Sequence, residues 1–167
     1  MRSILIYFTA ACLAVSLLSG CTMPYGGPTE HTFLQSRENV VKVEICTNSE
    51  AYRWTRGRQV TSLQPLAELS SEEIDAFWNE LSAFPALEMG HHPGNGCGDL
   101  LFVVSYANGQ QELVGYGEVG VLNADGTFDK YRYYVLDNRE QLAKLFAKYA
   151  DPALLRANSQ SFRAFYD

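Results

Sequence analysis

The chain has 167 residues, 47% of them hydrophobic and 13% aromatic, enough to furnish the core of one ordinary domain and to argue against global disorder. Its formal net charge is −6, and once residues 1–20 with their single basic residue, Arg2, are set aside, 12 basic residues face 19 acidic ones. That balance argues against a nucleic-acid binder and against adhesion to an anionic bilayer by charge alone.

Met1-Arg2 is a short positive start, and residues 4–18 are apolar or small apart from Thr9 and Ser16. A run of this length falls short of the ~20 residues a spanning helix needs, and it ends in small residues, the pattern of a signal peptide. Leu18-Ser19-Gly20-Cys21 then supplies aliphatic, small, small, Cys. This resembles the lipobox of bacterial lipoproteins. The resemblance implies cleavage after Gly20, removal of residues 1–20, and acyl chains of the palmitate type on Cys21. It further implies an envelope location, with Thr22 after the cysteine pointing to an outer-membrane address facing the periplasm. One acyl chain holds a protein only marginally, whereas several anchor it stably.

Residues 21–37 contain Pro24, Gly26, Gly27 and Pro28 and show no hydrophobic period. They are expected to form the lipidated cysteine and a flexible tether spanning roughly 20–25 Å, with His31 solvated along it. Residues 38–167 are expected to form a single globular domain. Val41, Val43 and Ile45 alternate with Lys42, Glu44 and Cys46, as in a half-buried strand. Residues 51–55 predict a second strand, Arg56-Gly57-Arg58 a turn, and residues 59–63 a return. Arg53, Arg56 and Arg58 are expected to neutralise local carboxylates rather than to form an anion site.

Residues 69–84 predict the strongest helix. Ser70 and Glu73 match a capping box, Leu69 and Ile74 a hydrophobic staple, and Ile74, Phe77, Trp78, Leu81 and Phe84 recur at helical spacing before Pro85. Residues 88–99, with four glycines and Pro93, predict a loop. Residues 99–106 are apolar on both faces and predict a central strand. Asn108-Gly109 predicts a two-residue hairpin turn. Residues 110–122 are expected to return as one strand, placing Phe102 opposite Gly115. After a turn at 123–126, residues 127–136 form the next strand. Asp137 or Asn138 caps a second helix with Leu142, Leu145, Phe146 and Tyr149 inward, and Asp151-Pro152 starts a short helix. The order β-β-α-β-β-β-α, without βαβ alternation, predicts an α+β fold: an antiparallel sheet with two main helices packed on one face.

Of the four cysteines, Cys12 leaves with the signal peptide and Cys21 takes the lipid, which leaves Cys46 and Cys97 as an expected disulfide in an oxidising compartment. His91, His92 and Asp99, beside Cys97, are the one cluster with metal-ligand chemistry, and they are weak candidates because adjacent histidines in an extended loop point apart. Gly115-Tyr116-Gly117-Glu118-Val119-Gly120 matches the dinucleotide fingerprint in letters. It lacks the following helix that would hold a pyrophosphate, so the glycines are expected to mark close backbone approach, with no nucleotide and no other cofactor. No activated serine and no selected carboxylate pair is present. The sequence therefore points to an envelope lipoprotein carrying a non-catalytic binding or protein-interaction domain, for instance of the inhibitor or immunity type, with an envelope protein as partner. The alternatives are a metal-binding or metal-dependent enzyme using His91 or His92, and a cell-wall glycan binder using Trp54, Tyr131 or Tyr133.

Overall fold

A computed structural model describes residues 24–50, 54–89, 96–136 and 138–167. The fold is α+β. Eight strands form one sheet: β1 (Pro24–Glu30), β2 (Val40–Asn48), β3 (Leu63–Glu68), β4 (Pro85–Met89), β5 (Leu100–Tyr106), β6 (Gln111–Gly115), β7 (Glu118–Leu122) and β8 (Phe128–Leu136). Their spatial order is β1-β4-β8-β7-β6-β5-β2-β3, and every pairing is antiparallel. The helices are α1 (Ser71–Ser82), α2 (Arg139–Tyr149), α3 (Pro152–Asn158) and α4 (Gln160–Tyr166).

All four helices pack on one face. Phe77 and Leu81 of α1, Phe146 of α2, Leu155 of α3 and Phe162 of α4 share a core with Ile45, Phe102, Val104 and Val114 from the strands. Strand β5 alternates cleanly between two cores. Phe102 and Val104 face the helices, while Leu101 and Val103 face a smaller core with Leu113, Leu122, Phe128 and Tyr131. That back face is closed by Trp54 and Val60 of the segment before β3 and by Leu63 at the start of β3. The segment is stitched to the β7–β8 hairpin by Gly57 N–H to Phe128 O at 2.7 Å and Phe128 N–H to Arg58 O at 2.8 Å. A strand apolar on both sides is what a sheet covered on both faces requires.

Helix α1 forms for the reasons legible in its residues. Ser70 Oγ accepts from Glu73 N–H at 3.4 Å, and Glu73 Oε2 accepts from Ser70 N–H at 2.7 Å, which closes the capping box. Asn138 is the cap of α2, accepting from Gln141 N–H at 3.1 Å. Asp151 caps α3 with Pro152 in its first turn, accepting from Ala153 N–H at 2.9 Å. The aromatic tail, unassigned in sequence terms, is helix α4, with Phe162 fully buried.

The structure corrects the strand count and one register. Residues 110–122 are two strands, β6 and β7, so the meander β5-β6-β7-β8 has four strands where three were expected. The turn between them, Tyr116-Gly117, carries none of the Asn-Gly or Asp-Gly signal that marks the neighbouring turns. The Asn108-Gly109 hairpin is real, but its loop has three residues, with Tyr106 N–H donating to Gln110 O at 2.9 Å and Gly109 at φ 87°. The extra residue shifts the register by one. Leu101, not Phe102, stands opposite Gly115, and Phe102 stands opposite Val114. Prolines lie in three strands, β1, β3 and β4. Pro65 lies in β3, an outermost strand where a missing N–H costs no ladder bond, and Pro85 is the first residue of β4. Of the strand expected at 51–55, residues 51–53 lie outside the described residues, and Trp54 and Thr55 belong to no strand.

The expected tether at residues 21–37 is mostly part of the fold. Residues 24–30 are β1, paired with β4, and residues 31–36 cross the helical face as a strap before the short 3-10 turn Arg37–Asn39 leads into β2. His31 is buried at 2% exposure with its N–H donating to Phe84 O at 3.0 Å, and Phe33 stacks on Trp78 with ring centroids 3.6 Å apart. Pro and Gly content alone suggested a linker, whereas the apolar and aromatic residues just after it supply the contacts that hold this segment down.

Candidate functional site

The sequence-derived cluster separates into parts. His91 and His92 lie outside the described residues. Asp99 lies beside a cleft of about 600 Å³ lined by Asn48, Ser49, Gly98 and Asn158 among others. Its carboxylate is already engaged: Oδ1 accepts from Ser159 Oγ at 3.1 Å, and Oδ2 accepts from the N–H groups of Gln160 at 2.7 Å and Ser161 at 3.2 Å. Asp99 thus anchors the start of α4 on the sheet. Among the described residues no group of three His, Cys, Asp or Glu side chains is placed to hold a metal ion.

Cys46 and Cys97 are both buried free thiols, so the expected disulfide is absent from the structure. Cysteine arithmetic counts partners without placing them. The Cys97 side chain packs against Gly120 on β7, whose Cβ would sit 2.8 Å from Cys97 Sγ, and Cys46 lies on β2, three strands away. Burial pushes the Cys46 thiol up to about 12, helped by the Glu44 charge, and burial with the Glu118 charge raises Cys97 well above the ordinary range. Neither thiol is tuned as a nucleophile or metal ligand; both act as small apolar side chains. In a chain beginning at Thr22, Ellman's reagent is expected to find no reactive thiol in the native state and two after denaturation without reductant. None after denaturation would mean that they are bridged.

The glycine motif has a packing explanation. Residues 96–98 lie against the β6–β7 turn, with Glu118 N–H donating to Gly96 O at 2.7 Å. A Cβ on Gly117 would lie 2.0 Å from Gly96 O, and one on Gly115 would lie 2.5 Å from Cys97 O. Only glycine lets these backbones approach, and strand β7 follows where a phosphate-binding helix would be needed. Gly117→Ala is expected to cost about 2–3 kcal/mol through forced backbone displacement. Gly57→Ala, with open space but φ 79°, is expected to cost nearer 1 kcal/mol. Urea unfolding of the two variants checks the order.

Trp54 and Tyr131 are 2% and 4% exposed, and Trp54 N–H donates to Tyr131 Oη at 2.6 Å. These rings belong to the back-face core and offer no stacking platform for a sugar; the Tyr133 side chain lies outside the described residues. Arg58 pairs with Glu50 at 2.7 Å and Arg56 with Asp129 at 3.3 Å, the neutralising role expected of them.

The most concentrated polar chemistry is a group that sequence reading did not single out. Glu112 on β6 has zero exposure. Its Oε2 accepts from Leu34 N–H at 2.8 Å and from Tyr106 Oη–H at 2.7 Å, and its Oε1 accepts from Arg132 Nη1 at 2.7 Å. Arg132 also donates to Thr32 O and, at 3.1 Å, to Thr32 Oγ1. Burial raises the Glu112 carboxyl, while the Arg132 charge and the three donors pull the other way. Burial, with the same carboxylate, pushes the Tyr106 hydroxyl far above its ordinary range. Desolvation, with Arg132 nearby, pushes His31 down to about 3, so its ring is neutral. A perturbed buried carboxylate marks a catalytic candidate when it opens on a cleft. Here both oxygens are occupied by protein donors, two of them on or beside the strap. The arrangement latches residues 31–36 onto the sheet, and at zero exposure the carboxylate turns no oxygen to solvent. A lone glutamate inside the apolar strand Gln111–Gly115, next to Leu113 and Val114, was the available signal.

Comparison with protein-family models, with curated proteins and with solved structures finds no match to this chain.

Proposed function

We propose that this chain is an envelope lipoprotein, held through lipid on Cys21 and facing the periplasm from the outer membrane, whose folded part is a non-catalytic binding or protein-interaction domain. The observation that carries the reading is Leu18-Ser19-Gly20-Cys21 after a short apolar run, followed within three residues by the first strand of a folded domain. The chemistry of the described residues is consistent with a binding role. Asp99, Glu112, Cys46 and Cys97 are each absorbed into packing or capping. The partner class that suits an anchored, export-directed domain is another envelope protein.

Expression of the full chain in a bacterial host tests the anchor. Mass analysis of the N-terminal peptide is expected to show cleavage before Cys21 and an acylated cysteine, and Cys21→Ala is expected to move the protein out of the membrane fraction. An unmodified Cys21 in a membrane-free protein would overturn the reading. Affinity capture from envelope extracts with the lipid-free domain tests the binding role, with one retained envelope protein as the expected result. Its identity would then be checked by binding of the two purified proteins.

A further inference from the structure

The sheet has two distinct ends, and the point where the chain enters it decides which end faces the anchor. Only Thr22 and Met23 separate Cys21 from Pro24, so at about 3.6 Å per residue the Cys21 and Pro24 Cα atoms lie within roughly 11 Å of each other. Pro24 pairs with Met89, and Glu88 pairs with Tyr134 of β8, so Pro24 enters the sheet near the level of residue 133. From that level β8 runs a further five residues toward its start at Phe128, roughly 15 Å in the direction from which the anchor arrives. The turn at residues 123–126 lies beyond it. The β5–β6 turn abuts it, since a Cβ on Gly109 would lie 2.8 Å from Ala124 Cβ. The Arg56-Gly57-Arg58 turn is bonded to the same hairpin through Gly57 N–H and Phe128 O.

We infer that these three turns form a bilayer-contacting surface, and that the domain stands on the lipid headgroups with this end down. The inference rests on the lipid-anchor reading above. The overhang of the turns past Pro24 matches or exceeds the reach of the connector, so a lipidated Cys21 brings them to the headgroup level. Their chemistry suits that level. Residues 107–110 carry no charge, and Asp125 at the other tip is engaged with Thr127 N–H at 2.9 Å and Thr127 Oγ1 at 2.6 Å. Arg56, whose side chain is 85% exposed and meets Asp129 at 3.3 Å, is the cation within reach of a lipid phosphate, although the chain as a whole is acidic. The opposite end, with Asp99, Asn48 and the α3–α4 junction, is then displayed away from the membrane together with its cleft of about 600 Å³.

The test uses the full chain, matured in a bacterial host and reconstituted in phosphatidylethanolamine–phosphatidylglycerol vesicles doped with a headgroup nitroxide. An environment-sensitive fluorophore is placed on Ala124→Cys, on Asn108→Cys and, at the far end, on Asn158→Cys. The expected result is several-fold stronger quenching at residues 124 and 108 than at 158. Equal quenching at all three, or stronger quenching at 158, would overturn the orientation while an acylated N-terminal peptide in the same sample upholds the anchor. An unmodified Cys21 would remove both. Arg56→Glu in the lipidated protein is expected to weaken quenching at residue 124, and unchanged quenching would count against headgroup contact through that turn.

Discussion

Glu112→Ala is expected to lower the unfolding free energy by about 3–5 kcal/mol, the cost of breaking a buried ion pair from one side. The residue has zero exposure, and its removal strands three donors at once: Leu34 N–H, Tyr106 Oη–H and Arg132 Nη1. Arg132, whose side chain is 20% exposed, recovers part of its hydration, which keeps the figure from rising further. Glu112→Gln retains an acceptor for Leu34 and is expected to cost less. Arg132→Met leaves the carboxylate buried without its cation and should fall in the same range as Glu112→Ala. A double variant is expected to cost less than the sum of the two, because each single change already breaks the shared contact. Urea unfolding of the four proteins measures this. Additive costs would show that Glu112 and Arg132 are uncoupled, and a change under about 1 kcal/mol for Glu112→Ala would show that the latch carries no energy.

On acidification the fold is expected to weaken by about 1.4 kcal/mol per pH unit below the ordinary histidine range, through His31. The folded protein holds this ring neutral, with its pKa lowered from 6.5 to about 3 chiefly by burial. Below pH 6.5 the unfolded chain therefore takes up a proton that the folded chain refuses. Stability is complete above the unfolded value and is lost as pH falls toward the folded one, by up to roughly 5 kcal/mol across the interval. The carboxylates held below their ordinary values, Glu38 by Ser36, Glu73 by the Ser70 N–H, Asp125 by Thr127 and Asp167 by Arg156, weaken the fold only at more acid pH than the window 4.5–6.5, while Glu112, raised by burial, contributes with the opposite sign and is common to both proteins compared below. His31→Gln should flatten the slope in that window, with His91 and His92 common to both proteins. Parallel urea midpoints for the two proteins between pH 6.5 and 4.5 would sink the assignment.

Features written in neighbouring residues were the ones sequence could deliver. Ser70 with Glu73, Asp151 with Pro152 and the two apolar faces of β5 each depend on residues close in the chain, and each is present as expected, whereas the alternation read in β2 breaks at a bulge that leaves Val41 62% exposed and Cys46 buried. The glycines at 115, 117 and 120 were legible as sites of close approach, though not what approached them. The strap was not legible, because its contacts are remote: Leu34 meets Glu112 across 78 residues, and Arg132 meets Thr32 across 100. The hairpin register failed on a single residue. Asn108-Gly109 fits both a two-residue and a three-residue loop, and the choice decides which side chain stands opposite Gly115. The cysteines were countable, but an even count says nothing about where the two thiols lie, and both are free in the structure. The functional candidates have the same character, since the polar group that sequence passed over is assembled from four separate segments.

The way β1 joins the rest has a mechanical consequence. It is an outermost strand held by a single neighbour, and the chain enters it at Pro24. A pull applied to the chain ahead of Pro24, directed away from the sheet, loads the β1–β4 hydrogen bonds one after another, so that strand opens like a zip at low force. The peeling front then meets His31, whose backbone N–H is bonded to Phe84 O, and the Thr32–Leu34 segment clamped by Arg132 and Glu112, where several bonds must fail together. The molecule is thus built with a compliant leader in series with a stiff lock, and the lock stands between an applied tension and the main hydrophobic core.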